Sequence, residues 1–206
     1  MGRKISTADL RQVHEDHKIW LSSDGESGRR ADLSETKMSG MKLLRISLSK
    51  ADLSSADLSS ANLMGVTMMG TNFSGANMRG AFLLHGANLA GANMSEANLY
   101  KSNMTKSEMS NVKLNKSYLY KACVNGVNLS GADLSDADLT KAKLKKANLS
   151  GANLQNAILI STDLKGAIGL TIEQLSVVKT LYKSKLDTEL MEQVKEKYPH
   201  LLEKPK

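Results

Sequence analysis

The stretch GVNLSGADLSDADLTKAKLKKANLSGANL, Gly126 to Leu154, places leucine at every fifth position: Leu129, Leu134, Leu139, Leu144, Leu149 and Leu154. Neither regular element accommodates that spacing. On an α-helix five residues advance about 500°, some 140° past a full turn, so the leucines scatter round the axis and leave no apolar stripe. On a straight strand an odd spacing sends successive leucines to opposite faces. A backbone that turns a corner once per five residues resolves both conflicts. Each leucine and the small residue two places before it then point inward, and the other three positions point out. Coils of such a chain stack in parallel, like residue on like residue.

The same spacing extends in both directions. It begins at Leu33 and Met38 and runs through Leu43, Leu48, Leu53, Leu58, Leu63, Met68, Phe73, Met78 and Leu83. It slips by one residue across Leu84–Gly86, a place for a corner bulge, and resumes at Leu89, Met94 and Leu99 to end at Leu164. All 27 centres, 11 before the slip and 16 after it, are apolar. Two residues ahead of each stands a small residue such as Ala51, Ala76 or Ser102, with Met41 and Ile46 as the large exceptions. Asn or Asp usually lies between, and Gly, Ser or a charged residue follows; these suit a chain that must turn repeatedly.

The units AD-L-S-D, AN-L-S-G and AN-M-S-E, with the lead-in EDHKIWLSSDGESGRRADLS, resemble the pentapeptide-repeat proteins from Ala31 to about Ala167. That resemblance implies an all-β solenoid, a right-handed quadrilateral parallel β-helix with four pentads per coil. The centres then make about seven coils, a rod of roughly 30–35 Å at the usual strand spacing. The resemblance also implies an alternative function. The best-known members bind DNA gyrase or topoisomerase by imitating duplex DNA, and some dimerise end to end.

Three segments are expected: an N-terminal helical cap over 1–30, the β-helix over 31–168 and a C-terminal helical cap over 169–206. An open solenoid exposes unpaired backbone at both ends, which calls for such caps. Ser6 with Asp9 forms a candidate capping box for a helix over Ser6–Leu21, with Leu10, Val13, His17 and Trp20 or Leu21 on one face and Gly25 and Gly28 ending the segment. Thr171 with Gln174 repeats the box, followed by Leu175, Val178 and Leu181 or Tyr182 on one face. Asp187 can cap a further helix carrying Leu190, Val194 and Tyr198, with Leu186 and Met191 as a staple and Pro199 after its end.

Composition narrows the function. The net charge of +7, from 28 basic and 21 acidic residues, opposes mimicry of duplex DNA, which needs an acidic surface. The single cysteine, Cys123, excludes an internal disulfide and fits a reducing compartment. No apolar leader or long apolar run points to a membrane, so a cytoplasmic protein is expected. MGRKIS fits the loose acylation pattern through Gly2, with no second anchor beside it. His14 and His17 lie three apart on the first helix but lack the further ligands a metal site needs; His17 reads as a packing residue and His14 as a surface one. His85, His200 and the outward Cys123 have no adjacent nucleophile or base, and no phosphate loop or nucleophile elbow occurs. No enzyme activity, cofactor or metal is expected.

The surface carries the functional signal. Residues twenty apart stack on adjacent coils, so Tyr100 meets Tyr120, and Lys101, Lys121 and Lys141 form a column, with Tyr118 on the same side. Read as function, this is a partner-binding face, because tyrosine supplies contact area and lysine meets acidic groups. Read as structure, it is ordinary charge decoration. A protein partner is preferred over nucleic acid, which would exploit base stacking and phosphate neutralisation. With both ends capped, a monomer or weak dimer is expected.

Overall fold

The computed structural model describes residues 2–84 and 86–205. A two-residue strand, β1 (Arg3–Lys4), leads into helix α1 (Thr7–Ser22), and β2 (Thr36–Lys37) pairs with β1 in parallel. From Asp32 onward single-residue parallel bridges join position n to n+20: Asp32 to Asp52, Lys37 to Asp57, Lys42 to Asn62 and Ser47 to Thr67. Four pentads therefore complete one coil and give four sides. We number them from the centres Leu33, Met38, Leu43 and Leu48.

In an interior unit with Asn or Asp before its centre, each backbone N–H has a defined partner. The centre donates to the next coil, as Leu53 N does to Asn72 O at 2.7 Å, and so does the residue two after it, as Ser55 N does to Ser74 O at 2.8 Å. The residue before the centre donates back, Asp52 N to Ala31 O at 3.0 Å, and the N–H three places after the centre closes the corner, Ala56 N to Leu53 O at 3.2 Å. The remaining N–H, one place after the centre, is taken by the Asn or Asp side chain two residues earlier: Ser54 N to Asp52 Oδ1 at 2.9 Å and Thr140 N to Asp138 Oδ1 at 2.8 Å. This is the physical demand behind the recurrent Asn and Asp. Their side chains also bond one another between coils, Asn72 to Asp52 at 3.1 Å and Asn148 to Asn128 at 3.2 Å.

Away from the slip after Leu83, the corners of the repeat have the signature of a type II turn, with positive φ two places after the centre. Glycine fills many of these sites, but Lys101, Lys121 and Lys141 adopt φ of 55°, 60° and 59°. Inside, the centres Leu53, Leu58, Leu63, Phe73, Leu89, Leu99, Leu129, Leu134, Leu139, Leu149 and Leu154 are buried, on a lining of alanine. Where serine or threonine replaces alanine its hydroxyl donates to a core carbonyl, as Ser102 does to Leu99 O at 2.8 Å and Thr71 to Leu48 O at 2.7 Å. Among the described residues no buried side-chain nitrogen or oxygen lacks a partner. The large exceptions Met41 and Ile46 belong to the first coil and are only partly buried against the core.

At the slip the ladder runs on at a spacing of 21, Thr67 to Asn88 and Phe82 to Asn103, then returns to 20 with Asn88 to Glu108. The extra residue is thus absorbed in one corner without loss of pairing. His85, singled out in the sequence, lies outside the described residues.

Helix α1 carries the capping box of Ser6 and Asp9 and buries Leu10 and His17. The imidazole of His17 ties it to the solenoid: Nδ1 accepts from Ala31 N and Nε2 reaches Ser49 O, each at 3.0 Å. A surface role for His14 is corrected, because its Nε2 accepts from Ser47 N at 3.3 Å and the ring is half-buried. Gly28, at φ 75°, lets the chain return beneath the helix; a Cβ there would strike Asp16 O and Trp20 N.

The C-terminal segment departs further from expectation. The Thr171–Gln174 box is present, but its helix, α2 (Ile172–Ser176), is short. Val178, Leu181 and Tyr182 are not on it. Instead Thr180 bridges to Ile158 and Lys185 to Asp163, so Leu181 and Leu186 are two more buried centres. Packing on the preceding coil outweighed the helical pattern. Helix α3 (Thr188–Lys197) follows, then a 3₁₀ turn over Pro199–Leu202. Asp187 stands at the N-cap of α3 without capping it; its carboxylate accepts from Gly166 N at 3.1 Å. Leu181 N donates to Leu201 O at 2.7 Å, which occupies part of the last exposed edge.

Candidate functional site: an aromatic and cationic side

Outward positions on the second side are fixed by the ladder. Tyr100 and Tyr120 each follow a buried centre, Leu99 and Leu119, and Tyr118 precedes Leu119. The coil register brings the three rings together as nearly parallel planes. Centroids of Tyr100 and Tyr120 are 5.8 Å apart, those of Tyr100 and Tyr118 6.2 Å, and those of Tyr118 and Tyr120 5.9 Å, with interplanar angles of 5–8°. Tyr118 is the most open, 41% exposed.

Cations border this cluster. Lys101 Nζ lies 5.1 Å from the Tyr100 ring centroid, Lys121 Nζ 5.2 Å and Lys141 Nζ 5.6 Å from that of Tyr120, all within cation–π range. The structure therefore gathers all six residues singled out in the sequence. It adds Arg79, whose guanidinium lies 4.9 Å from the Tyr100 centroid. Counting by twenty misses Arg79, because the slip sets the spacing to Tyr100 at 21.

The electrostatics differ between neighbouring rings. Lys101 beside the ring, aided by the charges of Lys121 and Arg79, lowers the Tyr100 phenol below its ordinary range. Desolvation, with Asp138 nearby, raises that of Tyr118. The cluster presents three hydroxyls and a row of cations on a flat side. Cys123 lies round the next corner, half-buried, with Thr105 Oγ1 at 3.3 Å and Asn125 Nδ2 at 3.4 Å. Among the described residues no group of three potential metal ligands occurs, and no helix is long and apolar enough to cross a membrane.

Comparison with known proteins identifies the scaffold. Several solved structures are similar. A trypsin-treated variant of QnrB1, a plasmid-mediated fluoroquinolone resistance protein, is 20% identical, with 80% of this chain and 95% of that one covered and a TM-score of 0.47. HetL, a pentapeptide repeat protein involved in heterocyst differentiation regulation from the cyanobacterium Nostoc sp. strain PCC 7120, is 20% identical over 88% of this chain and 94% of its own, with a TM-score of 0.31. The protein alr5209 from Nostoc PCC 7120 is 20% identical over 91% and 99%, with a TM-score of 0.23. No curated protein matches the chain. The profile for pentapeptide repeats matches in 8 copies that together span residues 31–168, two thirds of the sequence. The chain belongs to the pentapeptide-repeat family, whose members form right-handed quadrilateral β-helices.

Proposed function

We propose that this protein is a non-enzymatic scaffold that holds another protein against its second side. The observation that carries the proposal is the cluster of Tyr100, Tyr118 and Tyr120, stacked in parallel and bordered by Lys101, Lys121 and Lys141. Tyrosine is among the residues that dominate binding energy at protein interfaces. Rings that already support one another lose little conformational freedom when a partner covers them. The cations favour a partner with carboxylates around an apolar patch. About seven coils, closed by α1 at one end and by α2 and α3 at the other, suit the rigid, capped body of a monomer or weak dimer. Imitation of duplex DNA at gyrase or topoisomerase is the weaker reading, since cations occupy the surface where a mimic needs carboxylates.

Affinity capture from the native cell tests the proposal, comparing the wild type with a Tyr100→Ala, Tyr118→Ala, Tyr120→Ala variant whose circular dichroism is unchanged. Specific partners are expected on the wild type and lost on the variant. An identical set of partners on both proteins rejects the tyrosine side as the interface.

A further inference from the structure

The positive charge is concentrated on the third side, next to the tyrosines. In its C-terminal half, Lys143 and Lys185 stand before buried leucines, and Lys145 and Lys165 after them. The corner entering this side carries Lys101, Lys121, Lys141 and Lys183; the corner leaving it carries Lys106 and Lys146. All ten are exposed. The strip holds two carboxylates: Asp163, 3.4 Å from Lys145, and Asp187, already bonded to Gly166 N. Ten of the 28 basic residues thus stand with two of the 21 acidic ones, a net +8. The chain totals +7, so the remainder of the molecule sums to −1.

We infer that this strip binds the phosphate backbone of duplex nucleic acid without reading its sequence. Between its lysines the outward positions are Asn103, Thr105, Cys123 and Asn125, with no aromatic or large aliphatic side chain among them. Protein interfaces are built on such anchors and are depleted in lysine, so an acidic protein is the poorer fit. Five coils at about 4.8 Å make a flat strip of roughly 20–24 Å. A duplex of that length presents about 12–14 charges. A flat side cannot enter a groove and so meets only backbone, which positions a complex without specifying bases. Single strands are disfavoured, because the Tyr100 and Tyr120 faces on which a base would stack are already occupied by Arg79, Lys101, Lys121 and Lys141.

The test is fluorescence anisotropy of a labelled DNA duplex of about 20 base pairs, titrated with the full chain across a salt series. Binding is expected at low salt. If about five phosphates are engaged, the slope of log affinity against log salt lies near −4 to −5. A Lys143→Gln, Lys165→Gln, Lys185→Gln variant is expected to flatten the slope by about 0.9 for each lysine that meets a phosphate. A Lys113→Gln, Lys116→Gln variant, altered on the first side, is expected to match the wild type. Circular dichroism verifies the fold, and the single variants carry the same comparison should the triple variant unfold. The inference is overturned if anisotropy does not rise with about 50 μM protein at about 50 mM salt. It is equally overturned if the third-side variant binds as the wild type does, if a single strand of the same sequence binds more tightly than the duplex, or if poly-L-glutamate of equal charge does so. The tyrosine interface is tested separately, because the substituted lysines border no tyrosine ring; Lys101, Lys121 and Lys141 flank both surfaces.

Discussion

Replacing Lys116 by glycine separates what the corner geometry costs from what the side chain contributes. Lys116 sits in the left-handed region at φ 58°, exposed on the first side, and its backbone N–H donates to Ser135 O at 2.9 Å, a bond that glycine retains. A non-glycine residue in this conformation costs about 1–2 kcal/mol. Glycine gives back roughly 0.4–1 kcal/mol through the greater freedom of its unfolded chain. The expected net is a stabilisation of about 0.5–1 kcal/mol, which raises the urea midpoint by roughly 0.25–0.5 M at a slope near 2 kcal/mol/M. Gly126→Ala is the mirror experiment. Gly126 has φ 62°, and an added Cβ would meet Lys106 Cγ at an ordinary 3.7 Å, so only backbone strain opposes it and a loss of similar size is expected. Lys101→Gly, at the tyrosine edge, is expected to gain less than Lys116→Gly, because it also removes the cation over the Tyr100 ring. A lowered midpoint for Lys116→Gly, or an unchanged one for Gly126→Ala, would refute the assignment of strain to these corners.

Three other outcomes follow from the same structure. Leu99→Ala, beneath Tyr100, opens a cavity in a fully buried column and is expected to cost about 2.7–5 kcal/mol by urea unfolding; a loss below about 1 kcal/mol contradicts tight packing there. Burial lowers the pKa of His17 below its ordinary value, so the unfolded chain takes up a proton near pH 6.5 that the folded chain resists. The His17 contribution is therefore complete above about pH 6.5 and is lost as pH drops from there toward the depressed folded value; His14, lowered by burial as well, adds a decline in the same window, so a melting series from pH 7.5 to 5 that shows no decline counts against both histidine contacts. A gyrase supercoiling assay is expected to show no change at micromolar protein, and inhibition there would revive duplex mimicry.

The five-residue spacing carried most of the body because it names a backbone no regular element satisfies, and column positions followed by arithmetic. That arithmetic brought Tyr100 to Tyr120 and failed at Arg79, one residue out of step across Leu84–Gly86. The strand Arg3–Lys4 left no trace, since two residues have no periodicity and their pairing with Thr36–Lys37 is set by the α1 connection. Leu181 and Leu186 were obscured by spacing that also fits a helix; Lys179, two before Leu181, breaks the small-residue rule, while Ser184 before Leu186 obeys it. Of the lysine strip, counting by twenty gives the column of Lys101, Lys121 and Lys141; Lys143, Lys145, Lys165, Lys183 and Lys185 join it only when the coil is wound through the C-terminal segment.

The twenty-residue ladder also governs how such a gene can change length. Excising one whole coil shortens the rod and leaves every later side chain on its original side. Excising a single pentad preserves the buried column but turns everything downstream by one side, parting the tyrosines from Arg79 if the cut falls between them. Growth and shrinkage that keep a binding surface intact must therefore proceed in steps of four units, even though the sequence repeats in one.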